Sequence, residues 1–239
     1  MKKALKRPLF YLAIILTAGI MISFFTPVEK LSMKLVAKSL NQGKSVSTSA
    51  VVYYQISGGL LVTHFISPIE TVVITNSKGE MKIYNVKDNT VVQSQGLDYS
   101  SENSYFYFFL NGKTQDMGLK SMGFTLKDTK IESNLVVTTW KPNEDLASVT
   151  SKAELVIENY KPIFMSFSDN KGKVAQKIYF TKYQKIGDFN IPMNITEFQY
   201  AKNDSVITKR SYSDPKLNQE VEDDTYLNYK IPANAKVIN

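Results

Sequence analysis

Cysteine is absent from this 239-residue chain, which contains one histidine (His64) and one tryptophan (Trp140). Without thiols there are no disulfides, no thiolate chemistry and no cysteine to carry a lipid. A Ser-His-Asp device would have to use His64, which lies in an apolar run, and no Gly-x-Ser-x-Gly elbow occurs anywhere. A hydrolase is therefore the least favoured reading, and His64 is expected to be packed or pore-lining. No Gly-rich phosphate loop is present, so no nucleotide is expected. Metal ligands are equally scarce. The Glu220, Glu222, Asp223 and Asp224 run offers only hard oxygens without calcium-loop spacing, and reads as a solvated linker before a last strand. The expectation is a chain that is not an enzyme and needs no cofactor and no metal.

Basic charge is also thinner than it looks. The formal net charge is +7, but Lys2, Lys3, Lys6 and Arg7 supply four of it, leaving a body of +3. Lysines are spread singly, with no arginine-rich stripe, so no nucleic-acid partner is expected. The basic head is followed by an apolar run over residues 9–25, whose 17 positions would span roughly 26 Å as a helix, against about 30 Å of hydrocarbon. Residues 1–26 thus read as a signal peptide or an N-terminal membrane anchor, the length lying between the two. Either way, residues 27–239 form one domain on the exported side.

Thr26, Pro27 and Glu29 have the arrangement of a helix start: a hydroxyl cap, proline at the first position and glutamate at the third. Val28, Leu31 and Leu35 would share one face of that N-terminal helix, with Gly43 as its stop. From Ser45 onward the chain reads as strand. Three apolar runs between Gly58 and Val92 are separated by Asn76-Ser77-Lys78-Gly79 and Lys87-Asp88-Asn89, turn formers between strand formers. Ala153, Leu155 and Ile157 alternate with Glu154 and Glu158; Ile163, Met165 and Phe167 alternate with Ser166 and Ser168. Two further hairpins are expected, one across Ser168 to Gly172 and one across Lys202-Asn203-Asp204. Tyr226 to Pro232 reads as the last strand. Eight or more short strands with tight turns indicate a sandwich or barrel.

The segment from Ser100 to Gly112 is ambiguous between strand and helix. Ser100 or Ser101 could cap a short helix ending at Gly112, with Tyr105, Phe108 and Phe109 on one side, and a second could run over 116–122.

His64, three residues, Pro68, an apolar strand, an Asn/Lys/Gly turn and then Ile83-Tyr84-Asn85 together resemble the LolA-like periplasmic lipoprotein carriers, the outer-membrane lipoprotein-sorting family. The Tyr226-Leu227-Asn228-Tyr229-Lys230-Ile231-Pro232 run resembles that family's last strand. The resemblance implies a mainly β (α+β) fold: an antiparallel half-open β-barrel with an N-terminal helix and short lid helices. It also implies the choice of helix at residues 100–112.

Function follows as a further expectation from the resemblance. The chain would be an exported, periplasmic acyl-chain-binding carrier, transferring lipoproteins or other lipids between inner and outer membrane. Its partners would be an inner-membrane release transporter and an outer-membrane acceptor, and the carrier itself would be a monomer. The alternative is a membrane-anchored lipid- or lipoprotein-binding sensor, or envelope-stress regulator, on the same fold, tethered by residues 9–25. The acyl chain would lie among Phe65, Tyr105, Phe108, Phe109, Trp140, Ile163, Met165 and Phe167. Core packing alone would also explain these aromatics.

Overall fold

Residues 27–201, 204–221 and 224–238 are described by a computed structural model of the chain. The apolar run over residues 9–25 lies outside them, and among the described residues no helix is long and apolar enough to cross a membrane.

The N-terminal segment is a strand, not the expected helix. β1 (Lys30–Asn41) buries Leu31, Met33 and Leu35 on one face while Lys34, Val36 and Lys38 alternate outward. Leu31 and Leu35, four apart, share a face in either structure, so they do not discriminate; Met33 between them does. Pairing on both sides settles the strand. β1 forms a hairpin with β2 (Lys44–Gln55) through Gln42 and Gly43, both at positive φ, and pairs with a distant strand near the C-terminus.

Gly58 to Gln95 contains four strands rather than three runs: β3 (Leu60–Ser67), β4 (Thr71–Thr75), β5 (Glu80–Asn85) and β6 (Thr90–Gln95). The extra break falls at Pro68, which has no N–H for a ladder. After a crossing segment come β7 (Phe124–Glu132), β8 (Leu135–Pro142), β9 (Thr150–Glu158), β10 (Lys161–Asp169), β11 (Val174–Ile186), β12 (Phe189–Ala201) and β13 (Asp204–Leu217). A two-residue β14 (Lys236–Val237) adds in parallel beside β6. The expected hairpins β10/β11 and β12/β13 are present.

The fourteen strands among the described residues form one sheet, in the order β14-β6-β5-β4-β3-β2-β1-β13-β12-β11-β10-β9-β8-β7. Its two ends do not pair, so the barrel is half open. Both faces carry a core. The concave face buries Leu31, Met33, Val52, Tyr54, Trp140, Leu155, Met165, Ile178, Phe180 and Ile195 against the segment that runs from β6 to β7. The convex face of β2–β6 buries Tyr53, Val62, Val72, Tyr84 and Val91 against the C-terminal segment.

That C-terminal segment corrects the expected last strand. Residues Asp224–Leu227 form a helical turn, α2, followed by an irregular run that reaches β14. Tyr226 stacks between Tyr53 (5.3 Å) and His64 (4.3 Å), and Tyr229 stacks on Tyr226 at 5.7 Å. Spacing of three puts two rings on one side of a helical turn, whereas it would put them on opposite faces of a strand. His64 is thus packed on the convex face, bonded through Nε2 to Glu70 (3.0 Å) and Tyr226 (3.2 Å), and does not line the interior.

Candidate functional site: the lid and the cavities beneath it

Between β6 and β7 the chain crosses from one end of the sheet to the other over the concave face. It begins with two 3-10 turns, Leu97–Tyr99 and Ser101–Asn103, and continues into one short helix, Tyr105–Leu110, named here α1 because it precedes α2. The cap of α1 is Ser104, whose Oγ accepts from Tyr107 N at 3.2 Å; Ser100 caps the preceding turn instead. No second helix covers 116–122, which is a run of turns with Met117 and Gly118 at positive φ.

Six residues with sequence YFYFFL would not hold a helix alone. Burial holds it: Phe106, Phe108, Phe109 and Leu110 are all within the concave core, at about 1.5–3 kcal/mol for each large apolar side chain buried. Rings lock it edge-on. Tyr105 and Phe109 meet Phe180 at 5.5 and 5.9 Å, and Phe106 meets Tyr212 at 5.4 Å. The lid's first turns are sewn to two turns beneath them, with Ser100 Oγ donating to Ser77 O of the β4–β5 turn at 3.0 Å and Ser101 Oγ to Gly59 O of the 3-10 turn before β3.

Two adjoining cavities lie beside this lid. One, of about 730 Å³, is lined by Tyr107, Phe108, Lys113, Leu126, Thr138 and Trp140 among others. The second, of about 580 Å³, is lined by Tyr105, Phe108, Met117, Met165, Phe167 and Ile178, with Gln176 as a polar wall. They share Leu97, Asn103, Phe108 and Ser121, so the Phe108 ring stands between them. Both volumes fall in the range of small-molecule sites, about 300–1,000 Å³.

Of the sequence-predicted residues, Tyr105, Phe108, Met165 and Phe167 come together at the second cavity, and Trp140 joins Phe108 at the first. Phe109 is core, 3% exposed, and lines neither. Phe65 packs against the edge of the core from β3 and also lines neither. Ile163 is the extra residue of a bulge: Pro162 pairs with Ile157 and Phe164 with Val156, leaving Ile163 unpaired in that ladder and away from both cavities.

Behind Gln176 lies an unforeseen polar group. Glu197 is buried on the concave face; its Oε2 accepts from Arg210 Nη1 at 2.9 Å and its Oε1 from Gln176 (2.6 Å) and Gln199 (2.8 Å). Burial raises the Glu197 carboxyl, but the bond and charge of Arg210, with both glutamines, outweigh that and hold it below its ordinary value. Burial pushes the Tyr54 and Tyr212 phenols up to about 12, and raises Tyr105 and Tyr183 as well. Each shift moves the group further from titrating at neutral pH, the reverse of what acid–base catalysis requires. The missed signal was available: Ile191, Met193, Ile195 and Glu197 alternate, putting a carboxylate on an apolar face.

No protein-family model matches this chain, and no curated protein matches its sequence. Solved structures do match. A protein of the DUF1329 family from Desulfovibrio piger aligns with a TM-score of 0.58 at 12% identity, covering 92% of this chain and 96% of that one. A putative outer membrane lipoprotein-sorting protein domain from Vibrio parahaemolyticus gives 0.57 at 12% identity, with 90% and 95% covered. A LolA superfamily protein from Nitrosomonas europaea gives 0.55 at 9% identity, with 84% and 91% covered. The fold is that of a half-open, lidded antiparallel barrel, and within that class the chain has the LolA-type fold, as a divergent example.

Proposed function

We propose that this protein is an exported, non-enzymatic carrier that holds acyl chains between its lid and the concave face of its sheet. The observation that carries the reading is the pair of cavities meeting at Phe108, walled by Tyr105, Trp140, Met165, Phe167 and Ile178. Affinity comes from methylenes leaving water, at about 0.8 kcal/mol each, a gain that any second apolar site can match and so can release. Cargo is a lipoprotein or another lipid taken from one membrane and handed towards the other. The structural alignments, at TM-scores of 0.55 to 0.58, support the fold on which this reading rests.

The test measures binding of a fluorescent fatty acid and thermal melting on the same variants. Phe108 and Met165 are 7% and 5% exposed, so Phe108→Asp and Met165→Asp are expected to melt at a lower temperature, still cooperatively, and to abolish binding even well below that melting temperature. Wild-type binding by folded variants would place the ligand elsewhere, and binding and melting lost in proportion would return both residues to plain core packing.

A further inference from the structure

The convex face of the strands away from the C-terminal segment carries an ordered band of outward residues. One cross-strand row reads Lys130, Val137, Val156, Phe164, Tyr179, Thr196, Lys209, Lys38, from β7 to β1. The adjacent row reads Asp128, Thr139, Glu154, Ser166, Lys177, Phe198, Ile207, Leu40. Apolar and aromatic members of the two rows join. Phe164 meets Tyr179 at 5.1 Å, Tyr179 meets Phe198 at 5.7 Å, Phe198 stacks on Tyr200 at 6.5 Å, and Ile207 and Leu40 continue from Phe198. Ser166 in the second row is buried, but the aromatic strip is open to solvent. Tyr179 and Tyr200 are 37% and 39% exposed and Leu40 is 42% exposed.

Lysines frame the band. Lys177 lies over the Tyr200 ring at 5.8 Å, and Lys38, Lys130 and Lys209 end the first row, none of the four in an ion pair among the described residues. The only carboxylates in the two rows, Asp128 and Glu154, sit at the β7–β9 end, away from Phe198 and Leu40. Phenol rings and lysines around a modest apolar strip are the composition that settles at the head-group level of a bilayer. A protein-binding core would instead be depleted in lysine and enriched in arginine.

We propose that this band is a docking surface for an anionic phospholipid bilayer. The aromatic strip enters the head-group layer, and Lys38, Lys177 and Lys209 pair with lipid phosphates. Because the lid and cavities are on the opposite face of the sheet, docking presents them away from the bilayer. On the carrier reading proposed above, cargo would then be exchanged with a partner on that side rather than with the membrane the protein rests on. This surface is independent of what the cavities hold.

Because the chain has no native cysteine, a single introduced one is uniquely labelled. In the full chain, Thr196→Cys at the band, or Ser94→Cys on the concave face of β6, would carry a polarity-sensitive fluorophore, titrated with phosphatidylglycerol-containing or phosphatidylcholine vesicles. The Thr196 probe is expected to shift to the blue on phosphatidylglycerol vesicles only, to revert as salt shortens screening to about 3 Å at 1 M, and the Ser94 probe to stay unchanged. Combining Lys177→Glu with Lys209→Glu should weaken the response at least about tenfold, with melting unaltered. A chain that binds vesicles through residues 9–25 while the Thr196 probe stays unshifted would overturn the proposal. So would equal shifts on both lipids, or a shift that appears only when envelope proteins are added.

Discussion

Arg210 Nη1 donates to Glu197 Oε2 at 2.9 Å across β12 and β13, on the same concave face that carries Ile195 and Tyr212. Arg210 is the one arginine after Arg7 in a chain otherwise basic through lysine. A guanidinium holds its fork without losing its charge, which suits a carboxylate that is largely out of water. Removing it by Arg210→Met leaves that carboxylate unpaired. The expected loss is about 2–3 kcal/mol, the low side of the cost of breaking a buried pair because Arg210 is partly exposed. Replacing both, with Glu197→Gln and Arg210→Met together, should recover part of it. Chemical denaturation of the three variants gives the answer, and a double variant weaker than Arg210→Met would show that the pair's polar contacts matter more than its charges.

The same pair sets an acid limit. The carboxyl of Glu197 titrates below its ordinary value of 4.5 in the folded state, so its contribution to stability is complete above that value and is lost as pH falls through the lower folded value. Melting temperature should therefore decline below about pH 4.5, and Glu197→Gln should flatten that decline. Parallel profiles for wild type and variant would assign the acid sensitivity to other carboxylates.

Gly118 supports the ring that separates the two cavities. Its φ is +82°, and a Cβ there would stand 2.4 Å from Phe108 Cζ. Gly118→Ala is expected to cost more than the roughly 1 kcal/mol of a side chain at positive φ, because Phe108 must also move. Gly112→Ala is the control: φ is +64° with nothing within 4 Å. Comparing the two melting curves isolates the ring contact, and equal losses would deny it.

Trp140 is a native reporter of the larger cavity. Its Nε1 donates to Thr138 Oγ1 at 2.9 Å, both residues lining the space, and it is the only tryptophan in the sequence. Fatty acids brominated along the chain should quench its emission saturably, whereas brominated short-chain acids should not. Quenching that rises linearly without saturation would count as collision rather than binding.

Tyr226 fastens the C-terminal segment between Tyr53 and His64. Tyr226→Ala should cost about 2–3 kcal/mol, less than a fully buried aromatic. Amide exchange should quicken over residues 224–238 and across β2–β6 while the lid helix keeps its protection. Faster exchange at the lid as well would mean that the two faces are coupled through the sheet.

Strand alternation made most of the sheet legible, because Ala153, Leu155 and Met165 bury on one side, with Phe167 partly buried beside them, in the period that their sequence shows. The misreadings share a cause. Leu31 and Leu35 fit both periods, and only the pairing with β2 and β13, remote in sequence, decides between them. Tyr226 and Tyr229 fit a strand by propensity, but packing of their rings on Tyr53 and Tyr84 selects a turn. At the site, aromatic composition pointed to the lid, while Phe65, Phe109 and Ile163 shared the composition without the place. Which inward residue meets a cavity rather than another side chain depends on the lid's path, and the bulge at Ile163 leaves no mark in the local pattern.

The lid has one more property, which concerns how the molecule is assembled. Among the described residues it is the only stretch of backbone running from a meander of six strands, β1–β6, into a second of seven, β7–β13, each built of neighbouring hairpins. The halves are joined along one long seam, where Leu31 of β1 lies opposite Leu217 of β13 and Asn41 opposite Val206, and at the two-residue β14 beside β6. Local hairpins close quickly and the seam must wait for distant ends to meet, so the seam is expected to be the slow step of folding. A chain cut within residues 111–116 keeps every hairpin intact on one side or the other. Two such fragments made separately would rejoin along β1 and β13, with the severed lid settling over the concave face from both sides.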